Sequence, residues 1–128
     1  MARILLIDDD ETFRDTVSQF LELDRHQVTE AADGAAGLKR FAEGAFDVVL
    51  TDILMPGMDG AQLILRIRER SPKQPIVAMS GGRRVISPEF NLQTAALAGA
   101  TAQLAKPFSR AQLQAAISRA LASAGGKA

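Results

Sequence analysis

Short apolar runs alternate along this chain with stretches in which apolar residues recur every three or four positions. Arg3 to Ile7 reads as a strand, and Phe13, Val17, Phe20 and Leu21 then mark a helix. Gln27 to Ala31 is a weaker strand. Leu38, Phe41 and Ala42 mark a short helix, with Gly44 suited to its C-terminal end. Val48 to Thr51 is a third strand, followed by a helix over Ala61 to Arg70 with Asp59 as N-cap and Pro72 just past its end. Pro75 to Met79 is a fourth strand. Ser87-Pro88-Glu89 combines an N-cap, a first-turn proline and a first-turn acid, which predicts a helix to about Ala98. Thr101 to Ala105 is a fifth strand. Ser109 with Gln112 forms a capping-box pattern ahead of Leu113, Ile117, Ala120 and Leu121. Ser123 to Ala128 is small and polar, and predicts a frayed tail after a single domain over 1–122.

Five strand–helix pairs in strict alternation predict an α/β fold, a parallel sheet covered by helices on both faces. The first, third and fourth strands are nearly continuous apolar runs, as strands buried on both faces must be. The second and fifth carry Gln27, Thr29, Glu30, Thr101 and Gln103, and read as edges. The order 2-1-3-4-5 satisfies that inference and is a common doubly wound arrangement.

Composition narrows the function classes. Lysine plus arginine equals aspartate plus glutamate, at 15 each, so no broad basic field exists to hold nucleic acid. There are no cysteines, which excludes disulfides, thiolate catalysis and Cys-based metal sites. The apolar runs are strand-sized, too short to span a membrane. The acidic end of the first run does not suit a signal peptide, so a cytoplasmic location is the expectation.

In an open parallel sheet, ligands bind beyond the carboxyl ends of the strands. Asp8, Asp9 and Asp10 follow the first strand, Asp52 the third, Ser80 ends the fourth and Lys106 the fifth. Taken singly, each has an ordinary reading: Asp10 as a helix cap, Ser80 as a turn residue before Gly81-Gly82, Lys106 as a solvated lysine beside Pro107. Taken together, crowded carboxylates repel one another unless a cation joins them. A hard divalent ion with oxygen ligands fits, Mg²⁺ best, and the lack of His or Cys in the cluster argues against zinc.

Three runs carry a family resemblance. Ile4-Leu5-Leu6-Ile7-Asp8-Asp9-Asp10, Asp47 through Gly60 (DVVLTDILMPGMDG), and Leu104-Ala105-Lys106-Pro107-Phe108 resemble bacterial response-regulator receiver domains of the chemotaxis-regulator type, over residues 1 to about 122. The resemblance implies a flavodoxin-like fold and a signalling phosphoacceptor that catalyses only its own phosphorylation and dephosphorylation. Asp52 looks like the phosphoacceptor nucleophile, and Asp9 like a direct Mg²⁺ ligand. Asp8 would act mainly through metal-bound water, and the Leu54 carbonyl would be a further ligand. Ser80 is similar to the hydroxyl residue that bonds the phosphoryl oxygen, and Lys106 to the lysine that pairs with it. The Lys106–Pro107 bond is expected to be cis, as in the family. The implied donor is a sensor histidine kinase or a phosphotransfer protein. The implied partner face is built from the helix over 88–98, the fifth strand and the last helix, a face the family also uses for phosphorylation-dependent dimers.

The chain departs from the family at three places. Gln103 stands where an aromatic switch residue is usual, which puts the aromatic readout in doubt. The stretch between Ser80 and Lys106 is about four residues longer than the family pattern, and its segment from Gly81 to Phe90 contains Arg83 and Arg84, expected either to be solvated or to reach a phosphoryl group or a partner's acidic surface. Gly81 replaces a small alanine. Leu54 and Gly82 occupy the positions that tune acyl-phosphate lifetime, and neither can hold an attacking water with a polar side chain.

His26 reads as a surface loop residue, and Met55 and Met58 as turn packing. Two other functions compete with the phosphoacceptor. A receiver-like binding module acting without phosphorylation is kept open by Gln103 and the long loop. A phosphohydrolase with an Asp nucleophile would want a second acid at position 54, where Leu54 stands. Slow intrinsic dephosphorylation is expected from Leu54 and Gly82; an acyl-phosphate half-life of seconds, measured after removal of the donor, would contradict it.

Overall fold

The structure is a computed structural model that describes residues 1–53, 57–58, 60–80 and 99–125, with side chains to 123. Five parallel strands form one sheet in the order β2-β1-β3-β4-β5, with β1 Arg3–Ile7, β2 Gln27–Ala31, β3 Val48–Asp52, β4 Ile76–Ser80 and β5 Ala102–Ala105. Four helices are described: α1 Glu11–Leu23, α2 Gly34–Glu43, α3 Gly60–Arg70 and α4 Arg110–Gly125. The expected fold class and strand order are both observed. The helix expected from Ser87 to Ala98, the Asp59 cap, the Gly81–Phe90 loop, Leu54 and Met55 lie outside the described residues.

Burial along the strands follows from their places in the sheet. All five residues of β3 and of β4 are buried, whereas β2 and β5 expose alternate or outer positions, including Gln27, Glu30 and Gln103. A strand sends successive side chains to opposite faces. Ile4, Leu6, Val48, Leu50, Val77 and Met79 therefore meet Val17 and Leu21 of α1 and Leu113, Ile117 and Ala120 of α4. Leu5, Ile7, Val49, Ile76 and Ala78 meet Leu63, Ile64 and Ile67 of α3, with Leu38 and Phe41 of α2 packed alongside. Each such fully buried aliphatic side chain contributes roughly 1.5–3 kcal/mol.

The strand ends differ slightly from expectation. β3 runs on to Asp52 and β4 to Ser80, so both polar residues belong to the sheet. The last helix continues through Gly125, three residues into the stretch expected to fray, because Ala122 and Ala124 favour helix. His26 is half-buried, and its Nδ1 accepts the Ala2 N–H at 2.9 Å, which ties the start of β1 to the end of α1; burial pushes its pKa down. Arg25 closes α1 with φ 67°: its N–H donates to Glu22 O at 2.9 Å and that of His26 to Leu21 O at 3.0 Å. This is a Schellman ending with arginine where glycine fits best.

Two contacts fix the ground beneath the site. Arg68 near the end of α3 donates to Gly99 O (3.0 and 2.7 Å), to Thr101 Oγ1 (3.2 Å) and to Gln74 O, which clamps the approach to β5. Gly60 lies against the end of β3, and its N–H donates to Ile53 O at 2.6 Å. A Cβ at position 60 would stand 2.3 Å from Asp52 O and 2.5 Å from Ile53 Cα, both backbone atoms that cannot swing aside. Gly60→Ala is therefore expected to lower stability by about 1–3 kcal/mol through overpacking, read as a fall in the denaturant midpoint. Arg25→Gly is expected to raise stability by about 0.5–1 kcal/mol through relief of the left-handed conformation, read as an increase in Tm.

Candidate functional site

The register of the sheet brings the polar residues to one rim. Ile7 pairs with Thr51, Asp52 with Met79, and Ser80 with Ala105. Asp8 and Lys106, each one residue beyond its strand, thus share the carboxyl-terminal edge with Asp52 and Ser80. Backbone bonds continue the ladder there: Asp8 N–H to Ala31 O (3.1 Å), Ile53 N–H to Met79 O (3.0 Å) and Lys106 N–H to Ser80 O (2.6 Å). The Lys106–Pro107 peptide bond is cis, as expected.

Side-chain contacts join these residues into one cluster. Asp8, Asp9 and Asp52 each offer a carboxylate oxygen, and the three oxygens lie within 4.8 Å of one another. Asp8 and Asp52 are buried and Asp9 is half-buried. The Lys106 ammonium is 2.8 Å from Asp8 Oδ2 and 3.6 Å from Asp52 Oδ2, with only 8% of its side chain exposed. Asp8 Oδ1 accepts the Asp10 N–H at 2.9 Å, so both of its oxygens are engaged. Asp52 Oδ1 accepts the Ile53 N–H at 2.8 Å, which turns Oδ2 toward Lys106. Ser80 Oγ is fully buried and, among the described residues, is the buried side-chain atom that no hydrogen-bond partner satisfies.

Among the described residues, this cluster gathers three carboxylates and one ammonium, where low dielectric strengthens repulsion between like charges. Asp52 shows the result: its pKa is pushed up to about 6, first by burial and then by Asp8 and Asp9, while Lys106 and the Ile53 N–H act to lower it. Its ordinary value is 3.8. A divalent cation among the three oxygens would relieve that repulsion, and an all-oxygen donor set of this charge suits Mg²⁺. The residues present thus fit the metal that the sequence implied.

Each sequence-predicted site residue within the described region, Asp8, Asp9, Asp52, Ser80 and Lys106, lies at this rim. Asp10 takes the plain role: it caps α1, with Oδ1 accepting the Phe13 N–H at 3.1 Å. Four supporting residues escaped the sequence reading. Gly60 lets α3 approach the Asp52 backbone. Arg14 donates to Asp8 O at 2.7 Å and pairs with Glu30 at 2.9 Å, which links the end of β1 to the edge strand. The Lys106 ammonium lies 4.2 Å from the Phe13 ring centroid, and Phe108 packs edge-on against that ring. A helical apolar position gives no sign that it will face a charged group; the aspartate run beside Phe13 was the only available hint.

Comparison with known proteins agrees with this fold. Residues 4–118 match the family model of the response regulator receiver domain. The chain is 35% identical over 128 residues to the transcriptional regulatory protein CseB of Streptomyces coelicolor, covering 98% of this chain and 53% of that protein. It is 36% identical over 107 residues to the response regulator protein FleR of Pseudomonas aeruginosa, covering 84% of this chain and 22% of that one. The chain thus spans about half or less of the length of these curated relatives. Among solved structures, the chemotaxis protein CheY4 of Vibrio cholerae superposes with a TM-score of 0.84 at 33% identity, covering 94% of this chain and 99% of that one. A receiver domain protein from Clostridium thermocellum gives 0.85 at 31% identity, covering 94% of each chain. With this fold, this acidic rim and a family match over most of its length, the chain belongs to the receiver domains of the response regulators of two-component signalling.

Proposed function

We propose that the chain accepts a phosphoryl group on Asp52 from a histidine kinase or phosphotransfer protein, in a Mg²⁺-dependent reaction that switches its binding to an output partner. The observation that carries this reading is the rim itself. Three carboxylate oxygens lie within 4.8 Å of one another, with the Lys106 ammonium against two of the acids and an unsatisfied Ser80 hydroxyl at the same edge. Asp8, Asp9, Asp52 and the Leu54 carbonyl would hold the metal. Mg²⁺, when bound, supplies positive charge to the oxygens of the group being transferred.

The chain's own groups have distinct tasks in this reading. Asp52 Oδ2, the oxygen turned toward Lys106, attacks phosphorus directly as a carboxylate, so no general base is required. The new O–P bond forms as the P–N bond to the donor imidazole breaks, and the electron pair leaves with the nitrogen. Lys106 releases Asp8 in favour of the incoming oxygens, whose charge it offsets. Ser80 donates a hydrogen bond from its hydroxyl to a phosphoryl oxygen, which satisfies a buried group left unpartnered among the described residues. The product carries a charge of roughly −1.5 to −2 in place of −1, and that increase biases a two-state rearrangement of the rim. Gln103 and Ala105 lie exposed on β5 and would present the result to a partner or to a second copy of the chain.

Incubation with acetyl phosphate and Mg²⁺, followed by intact mass measurement, tests the proposal. A gain of one phosphoryl group that disappears in Asp52→Asn is expected. Absence of any gain would favour a binding module that acts without phosphorylation.

The raised pKa of Asp52 adds a pH prediction. Without divalent cations, the folded chain keeps a proton between about pH 4 and 6 that the unfolded chain has already lost. Stability therefore declines as pH rises through that window, and the full penalty stands above pH 6. Asp52→Asn removes it. The variant should match wild type near pH 4 and exceed it by on the order of 2 kcal/mol above pH 7 in urea unfolding. Millimolar Mg²⁺ should shrink or reverse that difference, because only wild type keeps the full set of carboxylates.

A further inference from the structure

Phe13 and Lys106 lie in a closed circuit of contacts around the rim. The Asp10 N–H donates to Asp8 Oδ1 at 2.9 Å, and Asp10 Oδ1 in turn accepts the Phe13 N–H at 3.1 Å. The Phe13 ring carries the Lys106 ammonium 4.2 Å from its centroid. Lys106 Nζ returns to Asp8 Oδ2 at 2.8 Å. Phe108 meets the Phe13 ring at 86°, with centroids 5.5 Å apart. Both rings pack against the cluster that α1 and α4 form on the sheet. A lysine has four rotatable side-chain bonds and a strongly hydrated ammonium. Left to itself it would spend much of its time in water. Here Asp8 and Asp52 hold it on one side, and the π-face of Phe13 replaces water on another.

We propose that Phe13, braced by Phe108, is a positioning residue that seats Lys106 over the acidic rim and keeps its ammonium ready for the phosphoryl group. This deepens the phosphoacceptor reading above and rests on it. An aromatic face suits the task better than a third carboxylate would. It attracts the ammonium without a full charge, so Lys106 can shift from Asp8 to the phosphoryl oxygens while remaining over the ring. The same pair links the rim to the first turn of α1 and to the segment leading into α4. An aromatic contact thus meets Lys106 just past β5, the strand on which Gln103 holds the position where the family resemblance implies an aromatic residue.

Two measurements test the proposal. In the unphosphorylated wild-type chain, the ring current of Phe13 should move the Lys106 ε-methylene proton resonances upfield, and Phe13→Leu should abolish that shift. Phe13→Leu should also slow phosphorylation by acetyl phosphate about five-fold, as expected for loss of a modest cation–π contact. Its Mg²⁺ affinity should stay near that of wild type, because Asp8, Asp9 and Asp52 are untouched. Phe13→Tyr, which keeps the ring, should recover most of the rate. An unshifted Lys106 resonance would overturn the proposal even if Phe13→Leu folds poorly. So would an unchanged rate in Phe13→Leu, or equal slowing in the leucine and tyrosine variants. An upfield shift in a wild-type chain that takes no phosphoryl group would instead overturn the phosphoacceptor reading, and with it the purpose of the seat.

Discussion

The Lys106 ammonium stands 2.8 Å from one buried carboxylate and 3.6 Å from another, and the carboxyl-terminal rim of the sheet is organised around that contact. Burying Asp8 and Asp52 side by side would be prohibitive without a cation, since desolvation and mutual repulsion both oppose ionisation. Lys106 acts to lower the pKa of Asp52, but burial above all, with Asp8 and Asp9, outweighs it and pushes that pKa up to about 6. Among the described residues the rim thus gathers more carboxylates than cations, and that excess is the physical basis for its fit to a divalent ion.

A rim under such electrostatic tension needs a stiff support, and the sheet provides it. β3 and β4 are buried along their whole length, clamped between α1 and α4 on one face and α2 and α3 on the other. The strands hold the acids and the hydroxyl within one residue of a common level. Gly60 allows α3 to press against the Asp52 backbone, and Arg68 fastens the approach to β5, the strand that ends at Lys106. Rigid packing of this kind turns a local change of charge into a displacement of neighbouring elements, because close-packed interiors do not absorb it.

The β5 edge of the sheet has a different character. β5 exposes Gln103 and Ala105, and neither carries an aromatic ring. The aromatic ring in contact with the lysine is that of Phe13 on α1, against which Phe108 packs. Ring and ammonium are adjacent here, and the contact joins the first turn of α1 to the segment that leads into α4.

The sequence by itself determined the strand order, the buried and edge strands, and the residues of the acidic rim. Apolar runs of strand length, polar residues confined to the second and fifth, and carboxylates placed just past strand ends are local signals, and locality is what a sequence displays. The cap at Asp10 was legible for the same reason. The tertiary structure alone decided that Lys106 pairs first with Asp8, that Asp52 Oδ2 and not Oδ1 faces the ammonium, and that a helix-face phenylalanine sits beneath it. Those outcomes depend on the register between strands far apart in the chain and on the angle at which α1 leaves β1. No periodicity records such distances. Gly60 belongs to the same class: its lack of a side chain has meaning only once α3 is seen to lie against Asp52.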